Sequence, residues 1–275
     1  DRAERLFEEL TEFRDHRRLA LTSLLDIYQQ EKDWRRCLET ADRFQSRLGE
    51  SMGPAMAHYQ CELAEEALRQ GDDEGAETCL RNALATDPGC VRATLLQARL
   101  VLDRGEADRA IHLYRRVGDQ GPHFLPEILP GLLEAFRGRP PSDLLETLRA
   151  LHREHPNGAL LLALADAVER VEGRQPAIRL LVDYVGGHAD LAAVERLLEL
   201  RELPLSAEGA EALDMLRTLG RVARYLRSRQ PRYQCDHCGF VARRLHWQCP
   251  GCKHWASILP VQPATLGDGL EAAVV

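Results

Sequence analysis

The sequence predicts an all-α chain, a superhelical solenoid of helix hairpins, followed by a small C-terminal module built around four cysteines. Three observations predict it. Landmark residues recur at a fixed period through the middle of the chain, apolar residues keep helical spacing up to about Arg229, and after Pro231 the texture changes. That last stretch is rich in Cys, Trp and Phe and carries short β-prone runs, Phe240-Val241 and Ser257-Ile258-Leu259.

The period comes first. Gly71-Asp-Asp-Glu-Gly-Ala76 stands 34 residues before Gly105-Glu-Ala-Asp-Arg-Ala110, and Asp87-Pro88 stands 34 before Gly121-Pro122. This is the tetratricopeptide (TPR) repeat length. In each unit a first helix carries a small residue at its eighth position, Ala64 or Ala98, and a glycine, Gly71 or Gly105, turns the chain. The second helix then puts Ala76 or Ala110 where the two helices cross too closely for a larger side chain. A proline ends that helix.

Weaker copies extend the register both ways. A unit running from about Arg18 has Tyr28, Asp33 and Trp34 at matching places and Cys37 at the small position, and Gly49 to Pro54 reads as a short insertion. Asp1-Arg2-Ala3 aligns with Asp108-Arg109-Ala110, so the chain is expected to open inside a second helix, with more protein before it. Downstream, Leu125 to Pro156 keeps the period with Gly138-Arg-Pro-Pro141 as its turn, and Ala159 to Val185 keeps Gly173 and Ala177 with a turn one residue shorter. Asp190 to Arg201 and Ala207 to Arg229 are helical without landmarks, as a terminal unit would be, with Pro204 and Pro231 bounding the last helix. The expected division is a helical repeat array over 1–230 that starts mid-repeat, a metal-binding module over 231–262 and a tail over 263–275.

Two Cys-x-x-Cys pairs, Cys235 with Cys238 and Cys249 with Cys252, are separated by ten residues. Each short spacer folds into a tight turn that aims two sulfurs at one point, and two such turns complete a tetrahedron of thiolates suited to one ion of iron or zinc. Gly239 suits the bend after the first pair, whereas Lys253 stands where a second glycine is expected. A redox dithiol is the rival reading, but it needs only one pair, at the start of a helix in a βαβ setting. His237 and His254 adjoin the ligands and read as exposed turn residues, because four cysteines already fill a closed site. The module is too small to own much of a core, so Phe240, Trp247 and Trp255 are expected to pack on the last helices. Its metal would then contribute folding free energy on the order of 10 kcal/mol, which favours a structural clamp.

Composition narrows the function classes. At 44% hydrophobic and 29% charged the chain can bury a real core. Cys37, Cys61, Cys79 and Cys90 are scattered singly, which suggests small buried side chains in a reducing compartment rather than a disulfide framework. The longest apolar run, Gly158 to Ala165, is too short to span a membrane, and no signal-peptide pattern is present. Neither lysine, Lys32 or Lys253, follows the glycine of a phosphate-binding loop. The net charge of -7 is uneven: Arg221 to Pro260 carries eight basic residues against Asp236, and that local +7 is partly counter-charge for the thiolates.

No catalytic constellation emerges, since His152-Arg-Glu-His155 lacks the spacing of a zinc protease and there is no Gly-x-Ser-x-Gly elbow. His152 and His155 read as solvated residues near a helix end. The chain reads as a non-enzymatic binder, with His58, Arg69, Arg92 and Arg99 on first helices where a groove for a protein partner would run; simple solvation is the alternative for each. Arg221, Arg224 and Arg227 share one helical face, suited to an acidic group or to packing near the metal site. Arg243, Arg244, Trp247 and Trp255 fit a nucleic-acid contact, against which stand the acidic chain and the repeat array.

The order of parts has a precedent. Divergent TPR units, then Gln230-Pro231-Arg232-Tyr233-Gln234-Cys235 to Phe240, then Trp247 to Trp255 and the closing Leu266-Gly-Asp-Gly-Leu270, resemble the lipopolysaccharide assembly protein B family of Gram-negative bacteria over all 275 residues. The resemblance implies a rubredoxin-like four-cysteine module with Cys235, Cys238, Cys249 and Cys252 as ligands. It implies a single-pass protein of the inner membrane, anchored by an N-terminal helix absent from this chain, with the array on the cytoplasmic side. It also implies an adaptor that helps the protease FtsH degrade LpxC, the deacetylase that commits material to lipid A, and so regulates lipopolysaccharide biosynthesis. Nucleic acid is not an expected partner, and a homo-oligomer is left open. The alternatives are a nucleic-acid-binding metal ribbon on a TPR scaffold and a rubredoxin-like electron carrier.

Overall fold

The computed structural model describes residues 2–201 and 210–263. Residues 1–120 and 121–275 form two compact units. No helix among the described residues is long and apolar enough to cross a membrane.

The first unit holds α1 (Arg2–Leu10) and three hairpins: α2 (Arg17–Glu31) with α3 (Trp34–Leu48), α4 (Gly53–Gln70) with α5 (Asp73–Thr86), and α6 (Val91–Asp103) with α7 (Ala107–Gln120). Each hairpin packs on itself and on the next, and α1 lies against α2 as α5 lies against α6. Ala64, Ala98, Ala76 and Ala110 are all fully buried, so the small residues occupy the crossings as the repeat register requires. Gly71 and Gly105 adopt φ of +77° and +82°, which lets the chain reverse with no Cβ penalty. In the first hairpin Lys32 takes the same left-handed conformation at φ 58°. Asp33 and Asp72 then cap the second helices, accepting from the amides of Arg36 at 3.1 Å and Gly75 at 2.8 Å.

The core between α4, α5 and α6 is made of small and medium residues, among them Ala57, Cys61, Leu80, Ala83, Cys90 and Ala93. The Cys61 and Cys90 sulfurs lie 3.9 Å apart. Trp34 stacks on Tyr59 at 6.1 Å, joining the first two hairpins. Pairs such as Arg43 with Glu8 at 2.9 Å and Arg47 with Glu12 at 3.2 Å decorate the junction of α1 and α3.

The second unit opens with a 3-10 turn, Pro122–Phe124, and continues through α8 (Leu125–Ala135), α9 (Pro141–Glu154), α10 (Gly158–Glu172), α11 (Arg174–Val185), α12 (Leu191–Arg201) and α13 (Ala210–Arg229). Helix α10 is its centre, touching α8, α9, α11 and α12 and burying Leu160, Leu161, Leu164 and Val168. Gly173 is the single residue between α10 and α11, the shortened turn the sequence predicts, and Ala177 after it is fully buried. Pro204 and the start of the last predicted helix, 207–209, lie outside the described residues.

Helices α12 and α13 pair through a charge clasp. Glu195 is 7% exposed and receives Arg224 at 2.6 Å and Arg227 at 2.7 Å. Two of the arginines expected to face an acidic ligand or the thiolates are therefore engaged by α12. Three short strands follow, β1 (Tyr233–Cys235), β2 (Val241–Ala242) and β3 (Ile258–Pro260), in the antiparallel order β2-β1-β3 with Tyr233 opposite both Ala242 and Pro260.

Candidate metal centre

The two cysteine turns are built on one plan. The amides of Gly239 and Lys253 donate to the carbonyls of Cys235 and Cys249, each at 2.9 Å, and the amides of Cys235 and Cys249 donate to the carbonyls of Phe240 and His254, each at 2.8 Å. Both turns need a left-handed residue after the second cysteine: Gly239 supplies φ +76° without strain and Lys253 adopts φ 63° despite its Cβ. The departure from pattern at Lys253 thus changes the residue and leaves the backbone path intact.

The turns bring four sulfurs together. Cys235 and Cys252 are 3.7 Å apart, Cys238 and Cys249 are 3.6 Å apart, and all four lie within 4.8 Å of one another. A tetrahedral ion with metal–sulfur bonds of about 2.3 Å needs sulfur–sulfur edges of ~3.8 Å, so the thiols fit such an ion with little movement. Cys235 and Cys249 are buried beside Ile258, with Tyr233, Leu245 and Cys252 packed around them, while Cys238 faces solvent.

Their protonation follows from the crowding. Burial pushes the Cys235 thiol up, but the Ser257 hydroxyl 3.3 Å away and the amides of Cys238 and His237 outweigh it and hold it at about 6. The Phe240 amide pulls Cys238 down, yet burial and hydrogen bonds to its sister sulfurs push it up to about 12. Four thiols sharing one small space cannot all ionise unless a cation replaces the protons. The cluster can hold one metal ion, and iron and zinc both suit a four-sulfur donor set.

Anchors to the helices complete the centre. Trp247 meets Phe124 of the 3-10 turn at 5.3 Å between ring centroids. The Tyr233 hydroxyl donates to Glu127 of α8 at 2.7 Å; burial and this acceptor together raise its pKa. Beyond β3, Gln262 accepts from Asn157, whose own side-chain oxygen caps α10 by accepting from the Ala159 amide at 2.9 Å. A Cβ on Gly158 would stand 2.7 Å from the Tyr184 hydroxyl and 2.8 Å from Asp190 Oδ2, so glycine leaves room for that pair, with Pro263 in ordinary contact at 3.5 Å. These contacts correct the expectation that Trp247 packs on the last helices. Trp247 rests on the turn before α8, and Phe240 remains 37% exposed.

The residues predicted to line a partner groove divide. Arg92 is 3% exposed and bridges Glu62 at 2.9 Å and Glu65 at 2.7 Å, both on the preceding hairpin. His58 is 4% exposed, and burial followed by the nearby Arg92 charge lowers its pKa to about 3. Arg69 and Arg99 are exposed: Arg69 Nε donates to the Glu65 carbonyl at 3.2 Å, and Arg99 pairs with Asp103 at 2.9 Å. His152 is half-buried rather than solvated, and burial lowers its pKa. Sequence reasoning missed Ser257, Phe124, Glu127 and Asn157. A tyrosine at the start of a strand next to a ligand was a signal for a buried hydroxyl, but nothing local named its acceptor.

Residues 233–260 match the family described as rubredoxin metal binding domain, and residues 61–123 match tetratricopeptide repeat. Lipopolysaccharide assembly protein B of Escherichia coli (strain K12) is 30% identical over 266 residues, covering 95% of this chain and 67% of that protein. The protein of the same name from Haemophilus influenzae is 28% identical over 263 residues, covering 95% of this chain and 65% of its own length. Among solved structures, Pseudomonas aeruginosa pilF aligns with a TM-score of 0.42 and 18% identity over 79% of this chain and 95% of that one. With such identity along nearly all its length, and two cysteine turns closing on one point later in the sequence than the TPR hairpins, the chain belongs to the lipopolysaccharide assembly protein B family.

Proposed function

We propose that the chain is a non-enzymatic adaptor at the cytoplasmic face of the inner membrane that regulates lipopolysaccharide supply by promoting FtsH-dependent degradation of LpxC. Its metal site is structural and its helix hairpins carry the protein partners. The observation that carries the structural role is the seating of the module: the four-sulfur cluster lies between strands tied to α8 through Tyr233 and Glu127 and to the start of α10 through Gln262 and Asn157. A divalent ion held there by Cys235, Cys238, Cys249 and Cys252 would offset half of the thiolate charge and lock both turns. With all four positions of a tetrahedral ion taken by protein, no position is left for a substrate. Family membership supports the role in lipopolysaccharide assembly, and the repeats support binding of proteins.

The test is capture of the full-length protein from membranes with its partners identified by mass, alongside the lifetime of LpxC in cells depleted of the protein. Co-purification of FtsH and LpxC, with LpxC persisting after depletion and restored turnover on re-expression, is the expected result. An LpxC lifetime indifferent to depletion sinks the adaptor reading. Salt-sensitive binding to RNA or DNA would move the module to nucleic-acid recognition.

A further inference from the structure

Two histidines left unused by the four-sulfur site lie face to face beside it. His237 and His254 stack with ring centroids 3.7 Å apart and 23° between planes, and both are exposed. They come from equivalent turns: His237 sits inside the first Cys-x-x-Cys, and His254 follows the left-handed Lys253 of the second. The fold that gathers the sulfurs therefore also gathers the imidazoles. A ring nitrogen of each, together with the Cys252 sulfur, lies within 4.8 Å of the others.

The orientation of one ring is already fixed. His254 Nδ1 is 3.1 Å from the Cys252 carbonyl oxygen, which can only accept, so Nδ1 is the donor and Nε2 is the nitrogen left to ligate in the neutral ring. A backbone carbonyl holding the second ring nitrogen is the usual support of a metal-ligating histidine.

We propose that His237, His254 and the Cys252 thiolate form a second, exposed site for a divalent ion that favours imidazole and thiolate, such as zinc. Tetrahedral coordination asks for ligand separations of ~3.4–3.8 Å. Stacked rings aim their in-plane lone pairs along near-parallel lines, so the exposed His237 ring has to turn out of the stack, and the ligand atoms to close by about 1 Å, to meet one ion. Three protein ligands leave the fourth position to water, which makes this the exchangeable site and the four-sulfur site the closed one. The proposal rests on the four-sulfur reading in one respect: Cys252 is shared, its thiolate bridging both ions.

Metal content of the desalted full chain, followed by titration with zinc, tests it. The wild-type protein is expected to retain one ion through desalting and to take up a second on titration. The H237A/H254A double variant should keep the first ion and the wild-type melting temperature while losing the second equivalent. In the cobalt form, the second ion should add sulfur-to-cobalt charge-transfer absorbance in the wild type and none in the variant. A wild type that saturates at one ion, or a double variant that still takes up two, overturns the second site alone. A desalted wild type with no ion overturns both this site and the four-sulfur reading.

Discussion

The TPR hairpins and the cysteine module reach burial by opposite means. Around α4, α5 and α6 the core is a continuous seam of Ala57, Cys61, Ala64, Leu80, Ala83 and Ala93, each fully buried, and the loss of any one contact leaves its neighbours in place. The module has Cys235, Cys249 and Ile258 as its buried cluster, and two of those three belong to the four-sulfur group that could hold a metal ion. Its interior is therefore chemistry before it is hydrophobic core. Stability spread over many small contacts degrades gradually, whereas stability concentrated in one ion is lost in a single step.

The largest effect should come from breaking that ion's shell. Replacing Cys235 and Cys238 with Ser should release the metal and remove folding free energy on the order of 10 kcal/mol from the module. Hydrogen exchange should become fast over residues 233–260 and should loosen the 3-10 turn and the start of α8, where Phe124 and Glu127 lose Trp247 and Tyr233. Helices α4 to α7 should keep their protection. Loosening confined to the module, with α8 unaffected, would make the module an independent bead and end the clamp idea.

Next in size is a break in the hairpin seam. Ala110 is fully buried in α7, so Ala110→Glu combines overpacking with a buried charge and should cost about 3–5 kcal/mol. Ala76→Glu should do the same in α5. A melting temperature unchanged in either variant would mean that the repeat register is misplaced.

A third difference is carried by pH. His58 has its pKa lowered to about 3, through burial and then the Arg92 charge, so the fold disfavours its protonation relative to the unfolded chain. Its contribution is full above the ordinary value near 6.5 and is lost as pH falls toward 3. The stability advantage of the wild type over H58Q should therefore shrink as the solution is acidified. An advantage that is constant with pH would show that His58 is accessible to protons in the fold.

How much of this was legible in the sequence follows from how far apart the partners are. The hairpins were readable because Gly71 and Gly105, Ala76 and Ala110 repeat one local solution, and the four-cysteine cluster was readable because each pair sits in its own tight turn. The docking of the module was not, since Tyr233 and Glu127 are 106 residues apart and neither signals the other. Arg92 shows the same limit. Its position on a first helix suggested a groove-lining charge, yet Glu65, 27 residues earlier on α4, draws it inside.

The smallest expected effect sharpens the comparison within the module itself, because the two cysteine turns share their hydrogen bonds and differ in the residue that takes the left-handed position. At Gly239 a side chain would meet nothing within 4 Å, so G239A tests the backbone conformation alone and should cost about 1 kcal/mol. At Lys253 the same penalty is already present. K253G should remove strain of about 1 kcal/mol while adding freedom to the unfolded chain, so its net change should be small and in the stabilising direction. The readout is the midpoint of metal loss under a competing chelator, measured for both variants against the wild type. G239A should release its ion more readily and K253G no more readily than the wild type. Equal loosening in both would mean that the Lys253 side chain contributes something beyond its backbone angle, such as charge compensation of the thiolates beside it.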